Sequence, residues 1–191
     1  MRNLVLLATL ALVPPVLGGC IPLLVGSAAT TGVLVAADRR SVGSVTEDQE
    51  IELKVAERVR DSYQDRTHIN ATSYNRIVLL TGEVPSAAIK AEIEKTVASI
   101  NNVRGVHNEI AVSETTSTLS NRAHDSFVTS KVKARFVDAA KFQPNHVKVV
   151  TERGVVYLLG LVTREEAEQA VEIARTTSDV KRVVKLFQYI Q

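Results

Sequence analysis

Apolar positions along this chain switch between a helical period and an alternating one, and the same order of periods occurs twice. Ile51, Val55 and Val59 recur every fourth residue, a narrow helical stripe. Thr46 with Gln49 three residues on has capping-box spacing and predicts that this helix starts near Thr46. Ile69, Ala71 and Ser73 alternate in a short strand, Tyr74-Asn75-Arg76 turns the chain, and Ile77 to Leu80 forms a second, apolar strand. Pro85-Ser86 opens a helix carrying Ile89, Ile93, Val97 and Ile100 on one side. Asn101-Asn102 ends it, and Val106, Asn108, Ile110 and Val112 alternate in a third strand. After a polar run from Ser113 to Asn121 the order returns: a helix with Val128, Val132 and Phe136, strands at Val147 to Val150 and Val155 to Leu159, a helix opened by Thr163 and Glu166, and a strand from Val183 to Ile190.

The two runs are copies of one module. Ile77-Val78-Leu79-Leu80-Thr81-Gly82-Glu83-Val84 matches Val155-Val156-Tyr157-Leu158-Leu159-Gly160-Leu161-Val162, and His68 matches His146, at the 78-residue spacing that separates Gly82 from Gly160. Asp48, Val55 and Val59 pair with Asp125, Val132 and Phe136 at 77, as do Val103, Val106 and Ile110 with Val180, Val183 and Phe187. Each copy predicts helix–strand–strand–helix–strand. A hairpin followed by a right-handed helical crossover makes a three-stranded mixed sheet with both helices on one face, an α+β class. A core of this size is marginal alone, so the modules are expected to pack together over apolar sheet surface. Gly82 and Gly160 are expected to be structural glycines, marking a strand-end bend or a close backbone approach.

Residues 1–19 have the features of a lipoprotein signal peptide. Arg2 supplies a charge, and the apolar run Leu4 to Val13 is about ten residues, too short to span a bilayer but suited to a signal core. Leu17-Gly18-Gly19-Cys20 resembles the bacterial lipobox, which makes Cys20 the lipidation (palmitate) site; the alternative is an ordinary signal peptide with an incidental cysteine. Cys20 is the only cysteine, so no internal disulfide exists. Triacylation would anchor the chain without a transmembrane segment. Ile21 rather than aspartate in the following position favours the outer membrane, facing the periplasm. Residues 20–45 are read as lipidated N-terminus and tether, with the uncharged run Ile21 to Ala37 lying near the membrane or against the folded domains. Residues 46–112 form the first module, 113–121 a linker and 122–191 the second module.

A tandem of modules, each with a glycine just after an apolar strand and a valine two residues later, resembles the BON-domain family. The lipobox, the Asp38…Arg40-Ser41-Val42-Gly43 connector, the segment Asp125-Ser126-Phe127-Val128-Thr129-Ser130-Lys131-Val132 and Gly160-Leu161-Val162-Thr163 are similar to the dual-BON outer-membrane lipoproteins of that family over nearly the whole chain. The resemblance implies a non-enzymatic protein on the periplasmic face of the outer membrane, binding anionic phospholipid through its second BON domain and supporting envelope integrity. Phe127 departs from the tryptophan common in the family; it keeps the aromatic ring and lacks the indole N–H.

Charge sharpens the picture. The net charge is +2, but residues 46–112 hold eight Lys/Arg against eleven Asp/Glu, and residues 120–191 hold twelve against eight. The basic module is the one suited to anionic headgroups. Phe127, Lys131 and Arg135 lie at i, i+4 and i+8 beside the apolar line Val128, Val132 and Phe136, and with Ser130 and Ala134 they form the candidate lipid-binding set. Each basic residue near such a surface contributes on the order of 1 kcal/mol. The first module has Glu50, Lys54 and Arg58 instead. The competing reading makes Phe127 a hydrophobic staple at the helix entry and the cations a solvated face.

Enzymatic chemistry finds little support. His68 and His146 are equivalent repeat positions, which favours a strand-entry role, and His107 and His124 have no acid or cysteine at metal-ligand spacing. Gly82 and Gly160 stand outside any phosphate-cradling loop, and Asp125 reads as a helix cap. No catalytic residue, metal or cofactor is expected. A nucleic-acid partner is excluded by compartment and modest charge. Besides a lipid-binding envelope protein, two readings remain. One is a protein-interaction scaffold for outer-membrane assembly or cell-division-site proteins, using the acidic module or a sheet edge. The other is a small-ligand or peptidoglycan binder, for which a chain with no Trp and four Tyr offers no aromatic-rich groove.

Overall fold

A computed structural model describes residues 38–63 and 67–191; the signal-like segment 1–19, Cys20 and the apolar run through Ala37 lie outside the described residues. The first module consists of α1 (Val42–Tyr63), β1 (His68–Tyr74), β2 (Ile77–Val84), α2 (Ala87–Ala98), β3 (Gly105–Asn108) and β4 (Ala111–Val112). The second consists of α3 (Leu119–Ala139), a 3-10 turn (Pro144–His146), β5 (Val147–Glu152), β6 (Val155–Val162), α4 (Arg164–Arg175) and β7 (Arg182–Tyr189). In each, the hairpin is antiparallel and the strand after the crossover helix joins in parallel, as the period pattern predicts. The third strand of module one is split, and β3 and β4 both pair with β2.

Two helix starts differ from the expected ones. α1 begins at Val42, where the Ser41 hydroxyl accepts the Ser44 amide at 3.1 Å; the Thr46 hydroxyl instead donates to the Val42 carbonyl inside the helix. α3 begins at Leu119 with Thr118 as its cap, so Leu119 to Asn121 are helical and not loop. α4 carries the expected capping box of Thr163 and Glu166.

Val78 and Leu80 of β2 turn toward Ile51, Val55, Ile93 and Val97, and Val156 and Leu158 of β6 toward Val128, Val132, Ala170 and Ala174. The residues between them face the other way. Tyr74 and Leu79 meet Tyr157 and Leu159 in a third buried cluster between the sheets. Covering both sheet faces explains why β2 and β6 read as continuous apolar runs and not as alternating ones. It also provides the packing between modules that two small cores require.

Polar ties frame this contact. The Tyr74 hydroxyl accepts the Leu161 amide at 3.4 Å, and Asn75 donates its side-chain amide to Gln188 at 2.7 Å. Lys148 pairs with Glu52 at 3.0 Å. Upstream of α1, Arg40 pairs with Asp38 and Asp48 and lies 4.1 Å from the Tyr74 ring centroid, while Arg39 reaches Glu166 of module two.

The glycines sit where two backbones nearly touch. A β-carbon on Gly82, at φ +113°, would stand 1.8 Å from the His68 carbonyl oxygen. On Gly160 it would stand 2.4 Å from the carbonyl oxygen of His146, the equivalent residue of the second module.

Candidate functional site: the outer face of α3

α3 buries Asp125, Val128, Val132 and Phe136. With 3.6 residues per turn, its opposite side is a row at spacings of four and three: Leu119, Ala123, Phe127, Ser130, Ala134 and Val137, all exposed. Leu119 is 77%, Phe127 58% and Val137 63% accessible, so large apolar groups stand in solvent along the helix. Only the small side chains of Ala123, Ser130 and Ala134 stand between them in the row. Phe127 lies two turns inside the helix, which overturns the staple reading. Arg122 and Lys133 are exposed along one flank of the row.

The other flank holds Lys131 and Arg135, and both are tied down. Lys131 Nζ lies 5.3 Å from the Phe127 ring centroid and donates to Asp179 at 2.8 Å and to the Ser178 hydroxyl. That hydrogen bond holds the Asp179 carboxyl below its usual range. Arg135 donates to the Ile173 carbonyl at 2.9 Å and to the Thr177 hydroxyl at 2.8 Å. The predicted line of Phe127, Lys131 and Arg135 therefore shares one helix, but its cations brace the loop that follows α4.

Asp125 is not a helix cap. It is buried mid-helix and accepts the amides of Arg153 and Gly154, both at 2.8 Å, in the β5–β6 turn. Asp48 does the same for Asn75 at 2.7 Å and Arg76 at 2.8 Å, with the Ser73 hydroxyl at 2.6 Å. The available signal was an aspartate three residues ahead of each apolar stripe, in register across the repeat.

A polar cluster lies where the modules meet, and sequence spacing did not reveal it. His68 at the start of β1 places Nδ1 3.2 Å from Oε2 of Glu83 on β2, and Glu152 at the end of β5 reaches the same place. Burial opposes ionisation of Glu83, but hydrogen bonds from Ser117 and His68 hold its carboxyl below the usual range. Burial pushes the Glu152 carboxyl up. His146 shares the strand-entry position with His68 but has a different neighbour, Glu166, 3.6 Å from its Nδ1.

No helix among the described residues is long and apolar enough to cross a membrane. The BON domain family model matches residues 47–114 and 124–191. The chain is 35% identical to the Outer membrane lipoprotein DolP of Haemophilus influenzae, over 91% of this chain and 90% of that one. It is 30% identical to the 21 kDa hemolysin of Actinobacillus pleuropneumoniae, over 81% and 80% of the two chains. With Osmotically-inducible protein Y of Escherichia coli it shares 29% identity over 81% and 78%.

Proposed function

The chain belongs to the BON-domain family, with two modules in tandem, and from that premise we propose a non-enzymatic, lipid-anchored protein of the outer membrane that faces the periplasm. In this reading it is acylated at Cys20, docks on anionic phospholipid through α3 of the second module, and supports outer-membrane integrity. The observation that carries the reading is Phe127, 58% exposed at the middle of an apolar row on the helix of the basic module. The ring enters the headgroup region while the exposed Arg122 and Lys133 meet phosphates and Lys131 stays bonded to Asp179 beside the ring. Similarity to a relative named as an outer-membrane lipoprotein supports the location. A scaffold for protein partners is the second reading; it is favoured by Leu53, 71% exposed on the acidic module's α1.

Co-sedimentation with vesicles tests it, using the chain with Cys20→Ser so that the anchor contributes nothing. Binding is expected to phosphatidylglycerol-containing vesicles and to be weak with pure phosphatidylcholine. Phe127→Glu is expected to abolish binding with an unchanged thermal midpoint. A folded Phe127→Glu protein with wild-type affinity overturns the assignment.

A further inference from the structure

We propose that His68, Glu83 and Glu152 form a binding site for a divalent transition-metal cation of the zinc type, which clamps the two modules together. The donors come from both sides of the junction: His68 and Glu83 from module one, Glu152 from module two. Each offers a ligand atom, and these atoms all lie within 4.8 Å of one another. His68 Nδ1 and Glu83 Oε2 are already 3.2 Å apart. Two ligands in a tetrahedral shell at about 2.0–2.1 Å from zinc stand at roughly that separation.

Glu152 supplies an independent reason. It is only 7% exposed, and its Oε1 is buried with no hydrogen-bond partner among the described residues. Buried polar atoms left unpaired are rare, and each calls for a ligand or another explanation. Its other oxygen, Oε2, accepts from the Asn70 side-chain amide at 3.1 Å. Glu83 accepts the Ser117 amide at 3.2 Å and the Ser117 hydroxyl. Outer partners of this kind orient ligating carboxylates in metal sites. Among the described residues the basic side chain paired with the cluster is Arg153, half exposed, whose Nη1 stands 3.8 Å from Glu83 Oε1 and not on the oxygen that faces His68.

Access and selectivity follow from the same residues. Of the three ligands, Glu83 lines a cavity of about 300 Å³ together with Ser117, His124 and Arg153, which gives an ion its approach from that side. An imidazole nitrogen with two carboxylate oxygens suits zinc; magnesium and calcium favour all-oxygen shells. The clamp is separate from lipid docking, since none of its ligands lies on α3.

Equilibrium dialysis of the Cys20→Ser chain against zinc chloride, followed by metal analysis and thermal melts, tests this. Removing the lone thiol excludes it as a ligand. The expected result is one zinc per chain, retained in excess magnesium, with a thermal midpoint several degrees above that of the EDTA-treated protein. Glu152→Gln and His68→Gln are each expected to weaken zinc binding at least tenfold. Both variants are expected to melt cooperatively in EDTA, and His124→Ala is expected to bind zinc as the wild type does. Failure of the folded wild-type chain to retain zinc overturns the proposal. So does unchanged zinc affinity in whichever of the two variants remains folded.

Discussion

Asp125 accepts the backbone amide of Gly154 at 2.8 Å, joining the middle of α3 to the tip of the hairpin that packs beneath it. The Arg153 amide binds the other carboxylate oxygen, and Arg153 itself holds a positive φ of 55°. A carboxylate with two acceptor oxygens thus satisfies two turn donors that the ladder leaves over. Asp48 repeats the arrangement at Asn75 and Arg76, so each module ties its first helix to its first hairpin in the same way.

Asp125→Ala is therefore expected to destabilise the protein by about 2–3 kcal/mol, because it leaves turn amides without a partner. Asp125→Asn keeps one acceptor oxygen and is expected to lose about half as much. Urea unfolding of the two variants decides it, and equal losses would show that the charge and not the hydrogen bonding matters.

Gly160→Val is expected to cost about 1–3 kcal/mol, since a β-carbon there meets the His146 carbonyl. Gly82→Ala is expected to cost at least as much despite the smaller side chain, because it combines a closer clash with a positive φ. Thermal melts test the order; an unchanged midpoint for either variant would mean that the strands separate freely at that point.

Acid should loosen the contact between Arg39 and module two. Arg39 donates to both carboxylate oxygens of Glu166, at 2.6 and 2.8 Å. That hydrogen bonding, against an opposing effect of burial, holds the carboxyl down to about 2 from an ordinary 4.5. A carboxyl with a lowered folded-state pKa contributes stability that is complete above its unfolded pKa and is lost as pH falls through its folded one. The midpoint difference between the wild type and Arg39→Gln is thus expected to be steady above about pH 5 and to shrink as the pH falls below that. A difference that stays constant down to the acid limit would assign the pair a packing role only.

The elements were legible because each apolar stripe faces one core, and the repeat supplied every stripe twice. The helix starts differ from the apolar pattern for a physical reason. The first turn of α1, ahead of Asp48, buries nothing, so burial periodicity begins only where packing does. The Ser41 and Thr118 caps lie in polar runs that resemble linker. Phe127 was legible as an exposed aromatic beside a buried line. The roles of Lys131 and Arg135 were not, because Asp179, Thr177 and the Ile173 carbonyl reach them only through the packing of α4 against α3. The cluster of His68, Glu83 and Glu152 was hidden for the same reason, since no local spacing reports a meeting of two modules.

Those ties separate the cations in a final prediction. Arg135→Glu removes two hydrogen bonds to the end of α4 and is expected to lower the thermal midpoint while leaving the vesicle affinity of the folded protein nearly unchanged. Lys133→Glu and Arg122→Glu alter exposed cations on the flank of the apolar row away from α4 and are expected to do the reverse. Losing a basic residue near an anionic surface costs on the order of 1 kcal/mol, about fivefold in affinity, and charge reversal costs more. The effect should fade with added salt, because exposed charges are screened over about 10 Å at 0.1 M. Val137→Glu, at the far end of the apolar row, is expected to weaken binding less than Phe127→Glu at its centre. Co-sedimentation and melting measured on the same Cys20→Ser proteins read both quantities. If Arg135→Glu lost affinity at an unchanged midpoint, its guanidinium would have to leave the α4 loop for the membrane, and the division of labour along α3 would be the wrong one.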